Sequence, residues 1–326
     1  MNYLIFGGEG FIGTHLKNHI INSNTDPVVY SLDIANNKKT DQVNYINTDV
    51  RKSICLPIPN VSSSVIYNLA AVHKSPGHQD NEYFETNIPG AENVCNFARN
   101  NNINTIVFTS SIAPYGASEE LKHEASLPMP NTPYGISKLT AEHIHRLWQA
   151  EEPGIRKLII VRPGVVFGKG EGGNFTRLYQ SMSKGFFFYP GRKDTVKAAV
   201  YVKDVARILY DSSIHSAPGV CLHNLSFFPA HTIESICRTI SEITGVKPPK
   251  LLIPGKLLVL VAAGGYYSGR LFGKKNRGIH PDRVRKLMIS TNISGEKLAK
   301  SCFALKYTLQ DAIEDWFIDC NRKGLF

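Results

Sequence analysis

Short apolar runs alternate with longer amphipathic segments over the first 160 residues. Each run is four or five residues long, which is typical of a buried strand, whereas apolar positions between the runs recur with helical spacing. The helical segments are 11–21, 83–100 and 134–149, and each is long enough to cross over between parallel strands. This alternation predicts a doubly wound α/β domain with a parallel sheet, whose strands include 3–6, 28–32, 65–69, 105–108 and 158–161.

The pattern changes after Arg162, where glycine-rich and aromatic segments such as GKGEGGNF and SKGFFFYPGRK follow one another. Such segments are typical of loops and short helices around a pocket. We therefore predict a first domain over 1–165 and a smaller substrate domain over 166–195 and 229–326. The segment VYVKDVARIL at 200–209 resembles a strand, which predicts that 196–228 rejoins the first domain.

Composition indicates the class of protein but does not identify its binding partner. The chain has 326 residues, of which 42% are hydrophobic, enough for a substantial core. Six scattered cysteines lack metal-ligand spacing, so we expect reduced thiols and no metal. The first residues, MNYLIFGGEG, lack the features of a secretory leader, which favours a cytoplasmic enzyme. A formal charge of +10 favours anionic partners, and on charge alone a phosphorylated substrate, nucleic acid and an acidic membrane stay open.

Three glycines spaced as G-x-x-G-x-x-G, namely Gly7, Gly10 and Gly13, follow the first strand-like run and begin a helical segment. Glycine permits a tight turn and lets backbone N–H groups approach a pyrophosphate at the helix N-terminus. Asp33 ends the next apolar run, 20 residues beyond Gly13, where a carboxylate can accept hydrogen bonds from an adenosine ribose. The combination predicts a dinucleotide site, and the carboxylate favours NAD over NADP because it repels a 2′-phosphate.

Two features near this site leave alternatives open. Lys38 and Lys39 lie close to Asp33 along the chain and would attract a 2′-phosphate. Asp49, in NTDVR after the third strand-like run, suits a hydrogen bond to adenine, but it is equally compatible with an ordinary loop acid.

Tyr134 and Lys138 stand four residues apart in PYGISK, at the start of a helical segment, and therefore share one helix face. An ammonium group stabilises a nearby phenolate, so we expect Lys138 to lower the pKa of Tyr134 and to reach the nicotinamide ribose. Tyr134 can then exchange a proton with a sugar hydroxyl while hydride moves at the same carbon. An apolar run in FTSSIAPYG brings Ser110 and Ser111 to the carboxyl edge of the sheet, where ligands of open α/β sheets bind.

The motifs GGEGFIG, DVR, NLAAVH, TNIPGAENV, FTSSIAPYG, PYGISK, VRPGVVFG and YVKDVA resemble those of extended short-chain dehydrogenases of the NAD-dependent sugar epimerase and dehydratase family. The resemblance covers nearly the whole chain. It implies a Rossmann fold, bound NAD, and Ser111, Tyr134 and Lys138 as catalytic residues, with Ser110 as a supporting contact. The resemblance also assigns residues to the cofactor site, namely Gly7, Gly10, Phe11, Ile12, Gly13, Asp33, Asp49, Val50, Leu69, Ala70, Ala71, Asn87, Ser110, Tyr134, Lys138 and Pro163.

Departures from the family pattern discriminate among reactions. Sugar 4,6-dehydratases carry an acidic pair directly after the catalytic hydroxyl residue, because eliminating water needs a further acid and base. Ile112 and Ala113 occupy those positions here, which disfavours a dehydratase. We therefore predict a 4-epimerase that acts on a diphosphate-linked sugar through a transient 4-keto intermediate, in surface polysaccharide biosynthesis. The alternatives are an NAD(P)H-dependent 4-keto reductase and, less favoured because all three catalytic residues are present, a non-catalytic NAD-binding protein.

The finer resemblance is to bacterial 4-epimerases that act on GlcNAc, including those that use GlcNAc on undecaprenyl diphosphate, so UDP and polyprenyl carriers both stay open. Val165 stands where soluble UDP-sugar epimerases usually have Asn. The predicted substrate contacts are Ser111 and four residues that are equally compatible with a structural or surface role: His73, Asn174, Lys197 and Arg283.

Three further expectations concern partners. The family resemblance implies a homodimer, in which 83–100 and 134–149 of each copy form a four-helix bundle. No nucleic-acid-binding motif occurs, so no nucleic-acid partner is expected. An uncharged stretch from 257 to 268, followed by basic residues, is shorter than the ~20 residues that span a bilayer. It predicts either a core helix with a basic tail or a segment, 257–277, that rests on an anionic membrane.

Overall fold

A computed structural model describes residues 1–35, 40–73, 78–260, 263 and 288–326. Its strands, numbered along the chain, are β1 Asn2–Phe6, β2 Val28–Asp33, β3 Val43–Asn47, β4 Ser64–Asn68, β5 Thr105–Thr109, β6 Ser118–Lys122, β7 Lys157–Pro163, β8 Val165–Phe167, β9 Tyr189–Pro190, β10 Val196–Lys197, β11 Ala199–Tyr201, β12 Gly219–Leu225, β13 His231–Thr232, β14 Leu252–Ile253 and β15 Thr291–Ile293. The helices include α1 Phe11–Ser23, α2 Asp80–Asn100, α3 Pro133–Ala150, α4 Asn174–Ser183, α5 Val202–His215, α6 Ile233–Thr244, α7 Glu296–Ala299 and α8 Leu309–Asp319.

The central sheet has seven strands in the order β12-β7-β5-β4-β1-β2-β3, and all its neighbouring strands are parallel. All five predicted strands lie in this sheet, within one or two residues of their predicted bounds. The doubly wound α/β prediction is confirmed. Because the strands are parallel, their carboxyl ends meet at one edge, which is where a ligand is expected.

Helices cover both faces of this sheet because successive side chains along a strand point to opposite faces. Along β1, Tyr3 and Ile5 pack into the core that includes residues of α1 and α5. Leu4 and Phe6 pack into the core that includes residues of α2 and α3. Both sheet faces are thus buried, as the near-continuous apolar runs require.

The second part of the chain forms smaller sheets and an aromatic core. β13, β10, β15 and β6 form a four-stranded sheet, whereas β8 pairs with β11 and β9 pairs with β14. Phe167, Tyr201 and Trp316 are fully buried in a core shared by α4, α6 and α8. Because β6 pairs with β15, the predicted first domain also contributes a strand to the predicted second one.

The segment 200–209 is mainly helical, so its prediction as a strand of the main sheet was wrong. Only β11 is extended, and it pairs with β8 outside the central sheet before α5 begins at Val202. Arg207 pairs with Asp204 and Asp211, three and four residues away, which is the spacing of one helix face. The strand of 196–228 that does join the central sheet is β12, beside β7.

Two findings concern the described part of the chain alone. In that part, no helix is long and apolar enough to cross a membrane. Nor do its His, Cys, Asp and Glu side chains form any group of three or more that could hold a metal ion. The six cysteines are free thiols.

Candidate active site

The glycine-rich turn lies at the carboxyl end of β1 and leads directly into α1. Gly7 has a φ of +78°, and a Cβ there would come within 2.7 Å of the Ala70 backbone nitrogen. A Cβ at Gly13 would meet the Gly7 carbonyl oxygen at 2.6 Å, so glycine is needed for the helix to approach the turn. Gly10 is the N-cap of α1 and brings no capping side chain to its first N–H groups. Those N–H groups fit the pyrophosphate of a dinucleotide.

Asp33 ends β2 beside the glycine turn. Its Oδ2 accepts a hydrogen bond from the Glu9 N–H at 3.0 Å, and its Oδ1 accepts one from the Ala35 N–H at 2.9 Å. The Glu9 side chain turns inward, where its Oε1 forms an ion pair with Lys17 and accepts from Ser31 Oγ at 2.6 Å. These contacts fix the Asp33 carboxylate next to the turn, in a place that fits ribose hydroxyls.

A second loop follows β4 and faces the glycine turn. Asn87, buried in α2, holds this loop, because its Oδ1 accepts from the Val72 N–H at 2.9 Å and its Nδ2 donates to the Val72 carbonyl at 3.1 Å. The same Nδ2 donates to Ser137 Oγ at 2.9 Å. Asn87 therefore ties the loop that contains Ala70 and Ala71 to the helix that carries Tyr134.

Val50 and Asp49 lie after β3, at the same edge. Val50 is buried against Gly90 of α2, and its carbonyl accepts from Asn93 Nδ2 at 2.9 Å. The Asp49 carboxylate accepts from the Arg51 guanidinium at 2.7 and 2.9 Å, which lowers the pKa of Asp49. The observed contact is that of an ordinary loop ion pair, and an adenine contact for Asp49 stays a proposal.

Ser111, Tyr134 and Lys138 come together between the end of β5 and the start of α3. The Tyr134 hydroxyl is hydrogen-bonded to Ser111, whose Oγ also accepts from the Ala113 N–H at 3.1 Å. One turn along α3, Lys138 is buried with its Nζ 4.4 Å from the centroid of the Phe108 ring. The predicted pair of hydroxyls and the lysine thus share one site at the carboxyl edge of the sheet.

Local sequence explains why α3 begins at this point. Thr132 caps the helix, because its side chain accepts from the Gly135 N–H at 3.1 Å, and Pro133 occupies the first helical position. A Cβ at Gly135 would lie 2.6 Å from the Ala113 carbonyl oxygen. The glycine therefore lets the first turn of α3 pack against the loop that follows Ser111.

Burial dominates the protonation of both titratable groups. Burial raises the pKa of Tyr134 to about 12, and the hydrogen bond with Ser111 opposes this rise. Burial also lowers the pKa of Lys138 to about 7, and the charge of Glu142 opposes this fall. The pKa of Tyr134 therefore lies above its ordinary value and not below it as expected, because desolvation of the phenol dominates.

A buried ion pair beneath the site was missed by the sequence analysis. The Glu142 carboxylate of α3 accepts from the Arg162 guanidinium of β7 at 2.6 and 2.8 Å, and both side chains are less than 5% exposed. Ser110 Oγ donates to the same carboxylate at 2.5 Å. The guanidinium carbon of Arg162 lies 4.6 Å from the centroid of the Tyr115 ring. Glu142 stands four residues after Lys138, so helical spacing places it on the same helix face but does not show its burial.

A buried histidine completes the support of α3. The His145 ring stacks on Phe108 with centroids 4.2 Å apart, and one ring nitrogen lies 3.2 Å from Asn68 Nδ2. Burial lowers the pKa of His145 to about 4, so the ring is neutral at physiological pH. Phe108 thus contacts both His145 and Lys138, which limits the movement of the lysine stem.

The remaining predicted cofactor positions lie on the same loops. Pro163 ends β7, and its carbonyl accepts from the Ile112 N–H at 3.2 Å, which joins that strand end to the Ser111 loop. The others are the first two residues of α1 and two residues of the loop after β4, namely Phe11, Ile12, Leu69 and Ala71.

The predicted substrate residues are more widely spread. His73 is exposed in the loop after β4, and Asn174 is exposed at the first position of α4. Lys197 of β10 is half-buried and its Nζ donates to the Ile289 carbonyl at 2.9 Å. Burial lowers the pKa of Lys197 to about 8. Arg283 lies outside the described residues.

Comparison with known families gives one match that covers most of the chain. Residues 3–213 match the model described as "NAD dependent epimerase/dehydratase family". This region includes the glycine turn, Ser111, Tyr134, Lys138 and the buried pair of Glu142 with Arg162.

Similar proteins of known description extend the match to the C-terminal part. The N-acetyl-alpha-D-glucosaminyl-diphospho-ditrans,octacis-undecaprenol 4-epimerase of Escherichia coli O157:H7 is 28% identical over 316 residues, which are 96% of this chain and 93% of that protein. A UDP-glucose 4-epimerase of Yersinia pestis is 24% identical over 75% of this chain and 83% of its own length.

Solved structures share the fold. The UDP-N-acetylglucosamine 4-epimerase of Bacillus cereus superposes with a TM-score of 0.73 at 20% identity, over 98% of this chain and 99% of that one. The UDP-glucuronic acid 4-epimerase of the same organism, solved in complex with NAD, gives a TM-score of 0.72 at 18% identity, over 98% and 99%. At these identities the likeness is one of architecture.

Proposed function

The chain belongs to the NAD-dependent epimerase/dehydratase family, and on that premise we propose that it is a 4-epimerase of a diphosphate-linked sugar. The observation that carries this proposal is the grouping of Ser111, Tyr134 and Lys138 beside the glycine turn. A protein that only bound NAD would need the turn and Asp33, but it would have no use for this trio.

Each of the three catalytic residues has a separate role in the proposed reaction. Bound NAD would supply the acceptor for the hydride of the sugar C4 and the donor that returns it. Tyr134 exchanges the proton of the C4 hydroxyl, and its partner Ser111 holds that oxygen in line. Protonated Lys138 stabilises the tyrosinate that forms, because a cation nearby favours the charged phenolate. Desolvation raises the pKa of Tyr134, so this compensation is needed before the residue can act as a base.

The residues after Ser111 favour epimerisation over dehydration. Ile112 packs with Tyr115 and Ala198, and Ala113 begins a short 3-10 turn that ends at Tyr115. Neither side chain can transfer a proton, so removal of water from the sugar would lack an acid at this position. A reductase would use the same trio, and the balance of NAD against product distinguishes the two reactions.

For the substrate, we propose a sugar that is joined to a diphosphate. Similar proteins act on UDP-glucose or on GlcNAc-diphospho-undecaprenol, as their names state. Lys197 is a half-buried cation, and such a group suits charge-assisted bonds to a diphosphate. Asn174, at the N-terminus of α4, and His73, in the loop after β4, are proposed as further contacts. A place in surface polysaccharide biosynthesis, in the cytoplasm, belongs to the same proposal.

We also propose a homodimer in which α2 and α3 of each copy form a four-helix bundle. Ile136, Leu139, His143 and Leu147 follow one another at spacings of three and four residues and form a stripe on α3. Leu147 is 68% exposed in the single chain. Light scattering would test the proposal, since Leu147→Asp should convert a dimer into a monomer.

The test of the activity uses UDP-GlcNAc and, separately, GlcNAc on a polyprenyl diphosphate, each with trace NAD. We expect GalNAc to appear after hydrolysis, without net formation of NADH, and we expect Tyr134→Phe to remove this conversion. Tyr210→Phe is the matched control, because Tyr210 lies on α5, which covers the opposite face of the sheet. Consumption of NADPH with a 4-keto sugar, and no conversion of either GlcNAc substrate, would favour the reductase instead.

A further inference from the structure

An exposed apolar strip follows α6. Between residues 250 and 260, five leucines occur, and four of them are at least 40% exposed: Leu251, Leu252, Leu257 and Leu260. Scattered exposed leucines are ordinary, but four within ten residues are an unusual concentration of exposed apolar side chains. Within the described residues, this strip is the densest run of exposed large apolar side chains.

The strip is joined to an aromatic loop by strand pairing. β14 pairs in parallel with β9, and the Tyr189 N–H donates to the Leu251 carbonyl at 2.8 Å. Directly before Tyr189 come three consecutive phenylalanines, of which Phe186 is 77% exposed. The pairing therefore places Leu251 and Leu252 beside the C-terminal end of this aromatic run.

A cavity connects this surface to the proposed diphosphate contact. It has a volume of about 280 Å³ and is lined by Phe186, Phe187, Phe188, Pro190 and Ile233, together with Ser181, Thr195 and Lys197. The lining is thus mainly apolar and aromatic, with two hydroxyl side chains and one cation. A nucleobase is normally held by several converging polar groups, whereas an isoprenoid chain needs none.

The charged residues of the strip's own segment are all basic. Lys184, Lys247, Lys250 and Lys256 are exposed, and the sequence from 243 to 260 contains no acidic residue. Lysines that flank exposed leucines match the anionic headgroups of a lipid surface, with the apolar side chains in the acyl boundary.

We propose that this surface docks on an anionic membrane and that the aromatic cavity takes the first isoprene units of a polyprenyl diphosphate. Lys197 then contacts the diphosphate, and the sugar lies toward Tyr134. The inference rests on the proposed function, because it names the carrier of the sugar on which that function acts. The proposed occupant of the cavity is the lipid part of the substrate. The test could instead show that the sugar is carried by a nucleotide.

The first test is sedimentation of the full-length protein with vesicles of phosphatidylglycerol or of phosphatidylcholine alone. We expect binding to the anionic vesicles, and we expect Leu251→Ser with Leu252→Ser to weaken it by about tenfold, from the lost apolar burial. The matched control is Ile155→Ser with Val220→Ser. These side chains have similar exposure but lie at the amino ends of β7 and β12. Equal binding by both double variants, or no binding by the wild type, would contradict the proposal that this surface docks on a membrane.

The second test compares carriers in the epimerase assay. GlcNAc diphosphate on an undecaprenyl chain should be converted at a kcat/KM at least about tenfold above that on a two-isoprene chain. UDP-GlcNAc should be poorer than both. In the Leu251→Ser and Leu252→Ser variant, we expect the advantage of the long chain to be lost and the rate with the short chain to be kept. A preference for UDP-GlcNAc, or equal rates with both chain lengths, would overturn the lipid carrier.

The two tests separate this inference from the proposed function. If UDP-GlcNAc is epimerised and vesicles are not bound, the surface is wrong and the epimerase stands. If vesicles are bound through the leucines and no sugar is epimerised, the membrane surface stands and the proposed reaction, together with the carrier, is wrong.

Discussion

Glu142 and Arg162 form an ion pair that water does not reach, one turn of helix below Lys138. Their closest oxygen and nitrogen lie 2.6 Å apart, and the side chains are 1% and 4% exposed. The pair joins α3, which carries Tyr134 and Lys138, to β7, whose end holds the Ser111 loop through Pro163. The position of the catalytic helix on the sheet therefore depends on two charges that must be kept or removed together.

Removal of one partner alone should be costly. Glu142→Ala leaves the Arg162 cation buried without its counter-charge, so we expect a loss of about 3–5 kcal/mol in the free energy of unfolding. Urea denaturation measures this loss. Glu296→Ala, which breaks the exposed pair with Lys300, should cost less than about 1 kcal/mol. Equal losses in the two variants would show that the buried pair does not hold the helix.

The neighbouring residues Ser110 and Ser111 should differ in role, one contributing to stability and the other to catalysis. We expect Ser111→Ala to lower kcat by about 100-fold, because the hydroxyl bonded to Tyr134 is lost, with little change in Tm. Ser110→Ala should instead lower the free energy of unfolding by about 1–3 kcal/mol, because Glu142 loses a buried donor, and should leave most of kcat. Calorimetry and initial rates distinguish the two variants, and the reverse pattern would exchange their assigned roles.

Lys138, although it is needed for catalysis, should lower the stability of the folded chain. The pKa of Lys138 is about 7 in the folded chain against 10.5 ordinarily. The free-energy cost of burying the charged lysine is thus full below pH 7, where Lys138 is protonated in both states. This cost shrinks between pH 7 and 10.5, where only the unfolded chain binds the proton. Without added NAD, we expect Lys138→Met to gain roughly 4 kcal/mol at pH 6 and about half of that at pH 9.

Thermal unfolding at the two pH values measures this gain. The control is Lys323→Met, at an exposed position, which should show no such dependence on pH. A Lys138→Met gain that grew from pH 6 to pH 9 would contradict the lowered pKa of the lysine. The same variant should lack epimerase activity, because it has no cation to stabilise the tyrosinate.

Two glycines offer a matched test of the cofactor turn. A Cβ at Gly13 would lie 2.6 Å from the Gly7 oxygen, whereas a Cβ at Gly154 would meet no atom within 4 Å. We expect Gly13→Ala to lower the free energy of unfolding by about 1–3 kcal/mol and to weaken NAD binding at least about tenfold. Gly154→Ala should change neither quantity. Titration calorimetry with NAD measures the affinity, and unchanged binding by Gly13→Ala would remove the turn from the cofactor site.

The choice between NAD and NADP should depend on Asp33. We expect Asp33→Ala to weaken NAD binding by about tenfold, through loss of the charge-assisted bonds to the ribose, and to improve NADP binding. Asp41→Ala, at an exposed position outside the turn, is the control. If NADP binding stayed unchanged in Asp33→Ala, the carboxylate would have no part in the selection.

The main sheet could be predicted because its strands are buried on both faces and therefore appear as apolar runs. The same signal was misleading at 200–209, where β-branched residues suggest a strand but Arg207 and its acidic partners have helical spacing. Short strands such as β6, with its sequence SEELK, carry no apolar pattern. β6 forms only because β15, far along the chain, pairs with it.

At the site, the hydroxyls, the lysine and the glycines could be predicted because their spacing is tied to local backbone geometry. Glu142 and Arg162 were missed, since a charged residue in a helical or apolar segment is ordinarily solvated and nothing local indicates its burial. The direction of the Tyr134 pKa was wrong for a related reason. Sequence places Lys138 beside the phenol, but it does not give the depth to which both groups are buried.

The pairing of β6 with β15 also bears on how the chain is synthesised. Ser290 donates to the Glu119 carboxylate across 171 positions of sequence, so β6 leaves the ribosome long before its partner exists. The glycine turn, Asp33 and α3 are complete by residue 150 and can assemble first. Meanwhile β6 is an unpaired edge, and its two glutamates and terminal lysine are the side chains that discourage premature pairing with another nascent chain.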